Sequence, residues 1–417
     1  MRSYAITLLL IAPLAACSSA ADPSGGDGGL PDAGAADVVD GATTSDAGTF
    51  GQEMPQVVDA GLGPVIAQPR VTAITYDNDS SRSDIEAFYG NFAASTAWAA
   101  QTAEYGTGAL VAGAPQHITG NAPASATDTD LHGILTQNLT GSAPAWGAPD
   151  PNGVYAFFFP KGTAFDDGSG LTVCQDYDGY HSDVVVGGVD VAYTVSIACP
   201  GFDQGLTDLQ QITVSAAHEL VEAVTDPLRD EQKAAWGYPD DAHFVWWYTT
   251  GGGEVADMCA GADTSYWIPS DMKYMVQRAW SNAAATAGHD PCVGQPTEPY
   301  YQTIPLQNDT INLSALGVTT KGTKIAKGAQ GTVTLHVYAD QAAGPFTVTV
   351  QDYSAYLGGT PYLQISVPSG QVNPGDEIVA TVKVLGQDPG LANGEAYVVT
   401  TRPSTGPRTY YFGLIGQ

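Results

Sequence analysis

Apolar and polar residues alternate through Arg70-Val71-Thr72-Ala73-Ile74-Thr75-Tyr76, the period of a strand with one buried face. Between Asp84 and Gln101 the period changes. Ile85, Phe88, Phe92 and Trp98 recur at helical spacing, which predicts an amphipathic helix over 84–101. Tyr155 to Phe159 is a short unbroken apolar run and reads as a buried strand. Val184 to Ile197 reads as a strand pair broken at Gly187-Gly188. Leu209, Ile212, Ala216, Leu220, Val221 and Val224 then define a central helix over about 208–225. Asp226-Pro227 ends it, because proline disfavours a helical residue before it. A tryptophan-rich stretch around Trp236, Trp246 and Trp247 shows no clear period, and a second helix is expected over 272–284. This order of strands and helices predicts an α+β or mixed α/β domain over 69–295.

The pattern shifts at Gln295-Pro296-Thr297-Glu298-Pro299. Beyond it the chain is nearly all strand, with segments at 331–338, 346–352, 363–367, 377–385, 396–401 and 410–414 set apart by Gly/Pro turns. We read 296–417 as an Ig-like β-sandwich with an accessory role in surface binding, spacing or stability. Nothing in it suggests chemistry.

The first 17 residues carry the marks of export. After Arg2, the apolar run Ala5 to Ala16 is too short to span a bilayer but suits a signal-peptide core. It ends in Leu14-Ala15-Ala16-Cys17, similar to a bacterial lipobox whose cysteine becomes lipidated. Ser18 after it fits sorting to the outer membrane, so the chain is expected as an envelope lipoprotein that meets the membrane only through its lipid. Residues 18–68 are rich in Ala, Gly, Asp and Pro, without Lys or Arg, and predict an extended acidic tether. The four remaining cysteines read as two disulfides in an oxidising compartment. Cys174–Cys199 and Cys259–Cys292 is the favoured pairing of the three available, because each bridge closes a modest loop on its own side of the central helix.

Charge narrows the partners. There are 44 Asp and Glu against 14 Lys and Arg, a net charge of -30, so nucleic acid and anionic lipid surfaces are repelled. No phosphate loop follows Gly251-Gly252-Gly253, and no GxSxG elbow occurs. Asp77-Asn78-Asp79, Asp128-Thr129-Asp130 and Asp176-Tyr177-Asp178-Gly179 complete no EF-hand loop and read as turn-forming acids.

The central helix holds the candidate chemistry. In His218-Glu219-Leu220-Val221-Glu222, His218 and Glu222 are four residues apart and share a face, while Glu219 lies about 100° further round. This is the spacing of a zincin HExxH helix with glutamate in place of the second histidine, and zinc accepts both imidazole nitrogen and carboxylate oxygen, so the replacement is chemically allowed. From Leu209 to Val224 these three are the only ionisable residues, whereas a solvated face is usually charged more generously. A catalytic zinc needs a third protein ligand. Glu254 is the first choice with Asp257 as its supporting partner, or the reverse, and Asp226 competes. Glu219 is then the general base, and Tyr266, Tyr274, His289 and His181 are candidates for stabilising the oxyanion.

Three phrases add a resemblance. Ser215-Ala216-Ala217-His218-Glu219-Leu220-Val221-Glu222, Gly253-Glu254-Val255-Ala256-Asp257-Met258-Cys259 and Val276-Gln277-Arg278-Ala279-Trp280-Ser281-Asn282 resemble the phosphate-induced protein/EXORDIUM family. Cys174 with Gly179-Tyr180-His181, and Cys199-Pro200, match more loosely. The resemblance covers roughly 70–293 and implies an exported protein; plant members are secreted and growth-related. Those proteins tend to hold Asn at the position of Asp226, which favours Glu254 as the ligand. The family name implies no reaction. The expected function is therefore a zinc peptidase with a zincin-like α+β domain, acting on polypeptide or cell-wall amide bonds. The rival is a non-catalytic surface protein in which the same residues hold a structural metal or form a polar site, and which binds glycan or protein through its sandwich.

Overall fold

The protein is described by a computed structural model covering residue 50 and residues 53–417, apart from 204, 230, 293–298 and 392. The expected signal peptide, Cys17 and most of the expected tether lie outside the described residues. The rest is a mixed α+β molecule dominated by sheet.

Four strands build the first sheet: β1 (Arg70–Tyr76), β2 (Gly153–Phe159), β3 (Gly179–Val186) and β4 (Val189–Ile197), in the order β1-β2-β4-β3, with short strands Val111–Ala112 and Gln116–Ile118 beside β1. β1, β2 and β4 run parallel, and β3 returns antiparallel at the edge. The β3–β4 hairpin turns at Gly187 and Gly188, whose positive φ of 61° and 87° is costly for other residues. β2 is apolar throughout because both of its faces are covered. Val154, Ala156 and Phe158 pack with α1 (Arg82–Ala94) and α3 (Asp208–Thr225). Tyr155, Phe157 and Phe159 pack on the other side with α2 (Asp128–Leu139).

Helix α3 starts at a capping box between Thr207 and Gln210 and stops at Asp226. Its residues from Gln211 to Thr225 are buried, with His218 alone half-buried. That burial by itself accounts for the scarcity of charge along the helix.

Several expectations need correction. The helix expected over 84–101 divides at Ser95, whose backbone is extended and whose hydroxyl donates to the Phe92 carbonyl (2.9 Å), competing with helical continuation; a second helix, Thr96–Thr102, follows. No helix fills 272–284: Val276–Gln277 pairs with Tyr266–Trp267, and only Asn282–Ala287 is helical. There strand pairing outweighs a weak helical preference. The tryptophan-rich stretch contains a helix, Phe244–Thr250. Asp130 caps α2 in a box with Thr127 rather than making a turn. The tether does not extend to 68. Phe50 stacks on Tyr338 at 3.7 Å, and Met54, Val57 and Ile66 are buried, so a few apolar side chains dock this stretch onto the core.

The C-terminal region contains β5 (Tyr301–Pro305), β6 (Asp309–Leu313), β7 (Val318–Lys324), β8 (Gln330–Ala339), β9 (Phe346–Asp352), β10 (Leu363–Ser366), β11 (Glu377–Val384), β12 (Gly394–Pro403) and β13 (Thr409–Gly416). They form a four-stranded sheet, β5-β8-β11-β10, and a five-stranded sheet, β6-β7-β13-β12-β9, with a short helix at Tyr353–Tyr356. β5, β6 and β7 went unrecognised in the sequence. This region is joined to the first sheet's region by an unbroken apolar core. Trp246 meets Phe412 edge-on at 5.0 Å, the Tyr248 hydroxyl donates to Asp388 (2.9 Å), and Arg408 grips Asp263 through Nε and Nη2 (2.9 and 2.8 Å). Both expected disulfides are present, Cys174–Cys199 and Cys259–Cys292. No helix among the described residues is long and apolar enough to cross a membrane.

Candidate metal centre

Three elements bring ionisable side chains together beneath the edge of the first sheet. α3 supplies His218, Glu219 and Glu222, β3 supplies His181, and the segment leading into the short helix Asp257–Ala260 supplies Glu254 and Asp257. Close approach of α3 to β3 depends on Gly179. A Cβ there would meet the Ser215 hydroxyl, the Val195 carbonyl (2.9 Å) and the Glu219 Cγ (3.1 Å). The 254–257 segment is pinned from behind. The Gln277 amide donates to the Ala256 carbonyl (2.9 Å), the Trp280 N–H donates to the Val255 carbonyl (2.8 Å), and Cys259–Cys292 ties down the far end.

Glu222 sits at the centre, its side chain 3% exposed. Its Oε1 accepts the backbone N–H of Asp257 (3.1 Å). Its Oε2 faces both imidazoles, at 3.2 Å from His218 Nε2 and 3.6 Å from His181 Nδ1. Asp257 Oδ1 stands 3.6 Å from His218 Nε2, and Glu254 Oε1 stands 3.6 Å from His181 Nε2. Glu219 Oε2 is 3.7 Å from His181 Nδ1. Ligand atoms fall into two groups, each within 4.8 Å: His218, Glu222 and Asp257, and His181, Glu222 and Glu254. Asp257, named in the sequence as the reverse option, thus completes the group around His218, while Glu254 belongs with His181. His181 was expected only as an oxyanion candidate. Nothing in the spacing of a strand histidine some 40 residues upstream marks it as a neighbour of the helix.

Divalent-metal geometry fits these separations. Metal bonds of about 2.0–2.2 Å at tetrahedral angles place their donor atoms roughly 3.3–3.6 Å apart. Within the groups the His218–Glu222 separation of 3.2 Å is at the upper end of hydrogen-bonding distance and the three at 3.6 Å lie beyond it, and all four are close to that value. Glu254, Asp257 and His218 keep side-chain exposures of 24%, 19% and 16%, so the cluster opens to solvent on that side.

Electrostatics shows an excess of negative charge. Burial opposes ionisation of Glu222, but the two imidazoles outweigh it and hold the carboxylate well below its usual range. Burial likewise disfavours the cationic histidines, yet Glu222 and Glu219 around His218, and Glu254, Glu219 and Glu222 around His181, raise both well above 6.5. Glu254 and Asp257 are pushed up by burial and by Glu222, with His181 and His218 opposing only in part.

The other expected residues are spread around this centre. Asp226 caps the end of α3, where its Oδ1 accepts from the Ala235 N–H (2.8 Å) and Gly237 packs against its other oxygen. Burial lifts its pKa to about 6, and it joins neither ligand group. The Tyr266 hydroxyl donates to Asp203 (3.1 Å), on the flank where Asp203 and Asp178 interact electrostatically with His218. Asp178 is bonded by the Gln211 amide, which also accepts from the Cys199 N–H (3.0 Å). Tyr274 and His289 are committed elsewhere, to Asp84 (3.0 Å) and to Asp340 (2.8 Å).

No protein-family model and no curated protein matches the chain. Among solved structures, a conjugative transposon lipoprotein from Bacteroides eggerthii aligns at 6% identity and a TM-score of 0.19, over 28% of this chain and 97% of that one. Domains 1–6 of the surface layer protein SbsC align at 9% identity and a TM-score of 0.17, over 37% of this chain and 26% of that one. Likeness at this level carries no argument about fold or function.

Proposed function

We propose that this chain is an exported, lipid-anchored metallohydrolase of the cell envelope, with zinc at the His218–Glu222 face of α3 and amide bonds of polypeptide or cell wall as substrate. The single observation that carries the reading is the meeting of His218 and Glu222 with Asp257, all within 4.8 Å of one another, with the Glu219 carboxylate 3.7 Å from the neighbouring His181. A zinc ion there would polarise the scissile carbonyl and acidify the attacking water. Glu219 accepts one proton from that water as its oxygen bonds to the carbonyl carbon. The carboxyl of Glu219 then returns the proton to the departing amine as the C–N bond breaks. Of the oxyanion candidates, Tyr266, Tyr274 and His289 bond to Asp203, Asp84 and Asp340, and His181 stands among the carboxylates of Glu219, Glu222 and Glu254. Tyr266 is kept as the candidate, because its partner Asp203 interacts electrostatically with His218. The Cys17 anchor, the outer-membrane address and an Ig-like accessory role for the C-terminal sheets belong to the same proposal, as does kinship with the phosphate-induced protein/EXORDIUM family.

Glu219→Gln tests it. The variant should keep its zinc and lose peptide hydrolysis by about 10²–10⁴-fold. Full activity in the variant, or wild-type protein that neither holds zinc nor cleaves peptides and cell-wall fragments, overturns the reading in favour of a non-catalytic surface protein.

A further inference from the structure

We infer that the centre is binuclear, with Glu222 as the bridging carboxylate between two divalent cations. One position is formed by His218, Glu222 and Asp257, the other by His181, Glu222 and Glu254. This rests on the metal reading above and goes beyond it, because a zincin-type helix needs only one ion.

The geometry behind it is the shared oxygen. Glu222 Oε1 is occupied by the Asp257 N–H, so Oε2 alone faces both imidazoles, at 3.2 and 3.6 Å. The two histidines approach that atom from different elements, β3 and α3, and each has its own second carboxylate at 3.6 Å. A single ion between them would leave one histidine and one carboxylate without a role. His181 supplies an independent observation. Its side chain is 7% exposed, and the carboxylates of Glu219, Glu222 and Glu254 surround it at 3.6 to 3.7 Å, beyond hydrogen-bonding distance. A buried imidazole aimed at carboxylates it does not bond leaves the space that a cation fills. The donor count agrees. Glu219, Glu222, Glu254 and Asp257 place four carboxyl groups around two histidines, enough donors for two cations at the spacing of about 3.5–4 Å known from two-metal sites.

The test is metal stoichiometry on the full folded chain, by elemental analysis after zinc loading and dialysis, with Mn²⁺ loading followed by electron paramagnetic resonance. The wild type should retain two zinc ions per chain, and the Mn²⁺ form should show spin coupling between bridged ions. Glu254→Gln and His181→Gln should each retain one zinc and lose the coupling, and Asp257→Asn should do the same from the other side. Circular dichroism and the thermal midpoint confirm that each variant folds, and Glu254→Gln, the more exposed position, keeps the test open if His181→Gln does not. One zinc in the wild type, unchanged in Glu254→Gln and His181→Gln, overturns the binuclear centre and leaves the proposed hydrolase standing. No zinc in the wild type overturns both.

Discussion

Two buried glutamates, one in each half of the molecule, meet opposite fates. Glu222 on α3 is 3% exposed, faces two imidazoles and a backbone N–H, and is held ionised. Glu395 on β12 is 1% exposed, and neither of its oxygens has a hydrogen-bond partner among the described residues. Burial, with Asp388 and Asp352 nearby, pushes its pKa up to about 7. Burial alone therefore says little about charge. What decides is whether the fold aims donors and cations at the carboxylate, as it does around Glu222 and does not around Glu395.

The largest effect expected from this contrast is at Glu222. In metal-free protein near neutral pH, Glu222→Gln should cost about 3–5 kcal/mol, because a buried and a half-buried imidazole lose the carboxylate between them. Chemical denaturation reads this directly, and an unchanged midpoint would show that Glu222 does not organise the cluster. Glu395 should behave in the opposite sense. Its folded pKa of about 7 lies above the ordinary 4.5, so between those values the folded state keeps a proton that the unfolded chain has released. Stability then falls as pH rises through that window. Glu395→Gln should remove the penalty, gaining about 3 kcal/mol at pH 8 and almost nothing at pH 4. A gain that is equal at both pH values would break the comparison.

Smaller effects test what holds each half in place. Gly179→Ala should cost about 1–3 kcal/mol by forcing α3 away from β3, and zinc affinity should fall with it, measured by competition with a chelator. Wild-type affinity in that variant would mean that the helix–strand spacing does not set the centre. At the seam, Tyr248→Phe should cost only about 1 kcal/mol, since Asp388 keeps the Gly390 N–H at 2.8 Å. A loss of several kcal/mol there would show the two halves to be more tightly coupled than these contacts suggest.

Much of the fold was legible in the sequence. β1 and α3 fall where the periods put them, Arg70–Tyr76 and Asp208–Thr225, and Gly187-Gly188 marked the hairpin. The two disulfides followed from loop closure on either side of the helix. Two of the misses share a cause. Val276–Gln277 and the stretch around Phe50 took the structure imposed by partners distant in sequence, since Val276–Gln277 pairs with Tyr266–Trp267 and Phe50 stacks on Tyr338. The break at Ser95 comes instead from a local bond of its hydroxyl to the Phe92 carbonyl. The low charge of α3, which had favoured a metal, turned out to need no metal, because the helix is buried almost all round.

By itself the sequence determined that His218 and Glu222 share one face with Glu219 beside them, since four residues along a helix fix that relation locally. Only the tertiary structure decided which distant groups complete it. It set Asp257 beside His218, brought His181 and Glu254 to the other side of Glu222, and sent Tyr274 and His289 to other carboxylates. Helical periodicity acts over a turn or two, whereas a site drawn from a strand, a helix and a loop is set by the packing that buries their apolar faces.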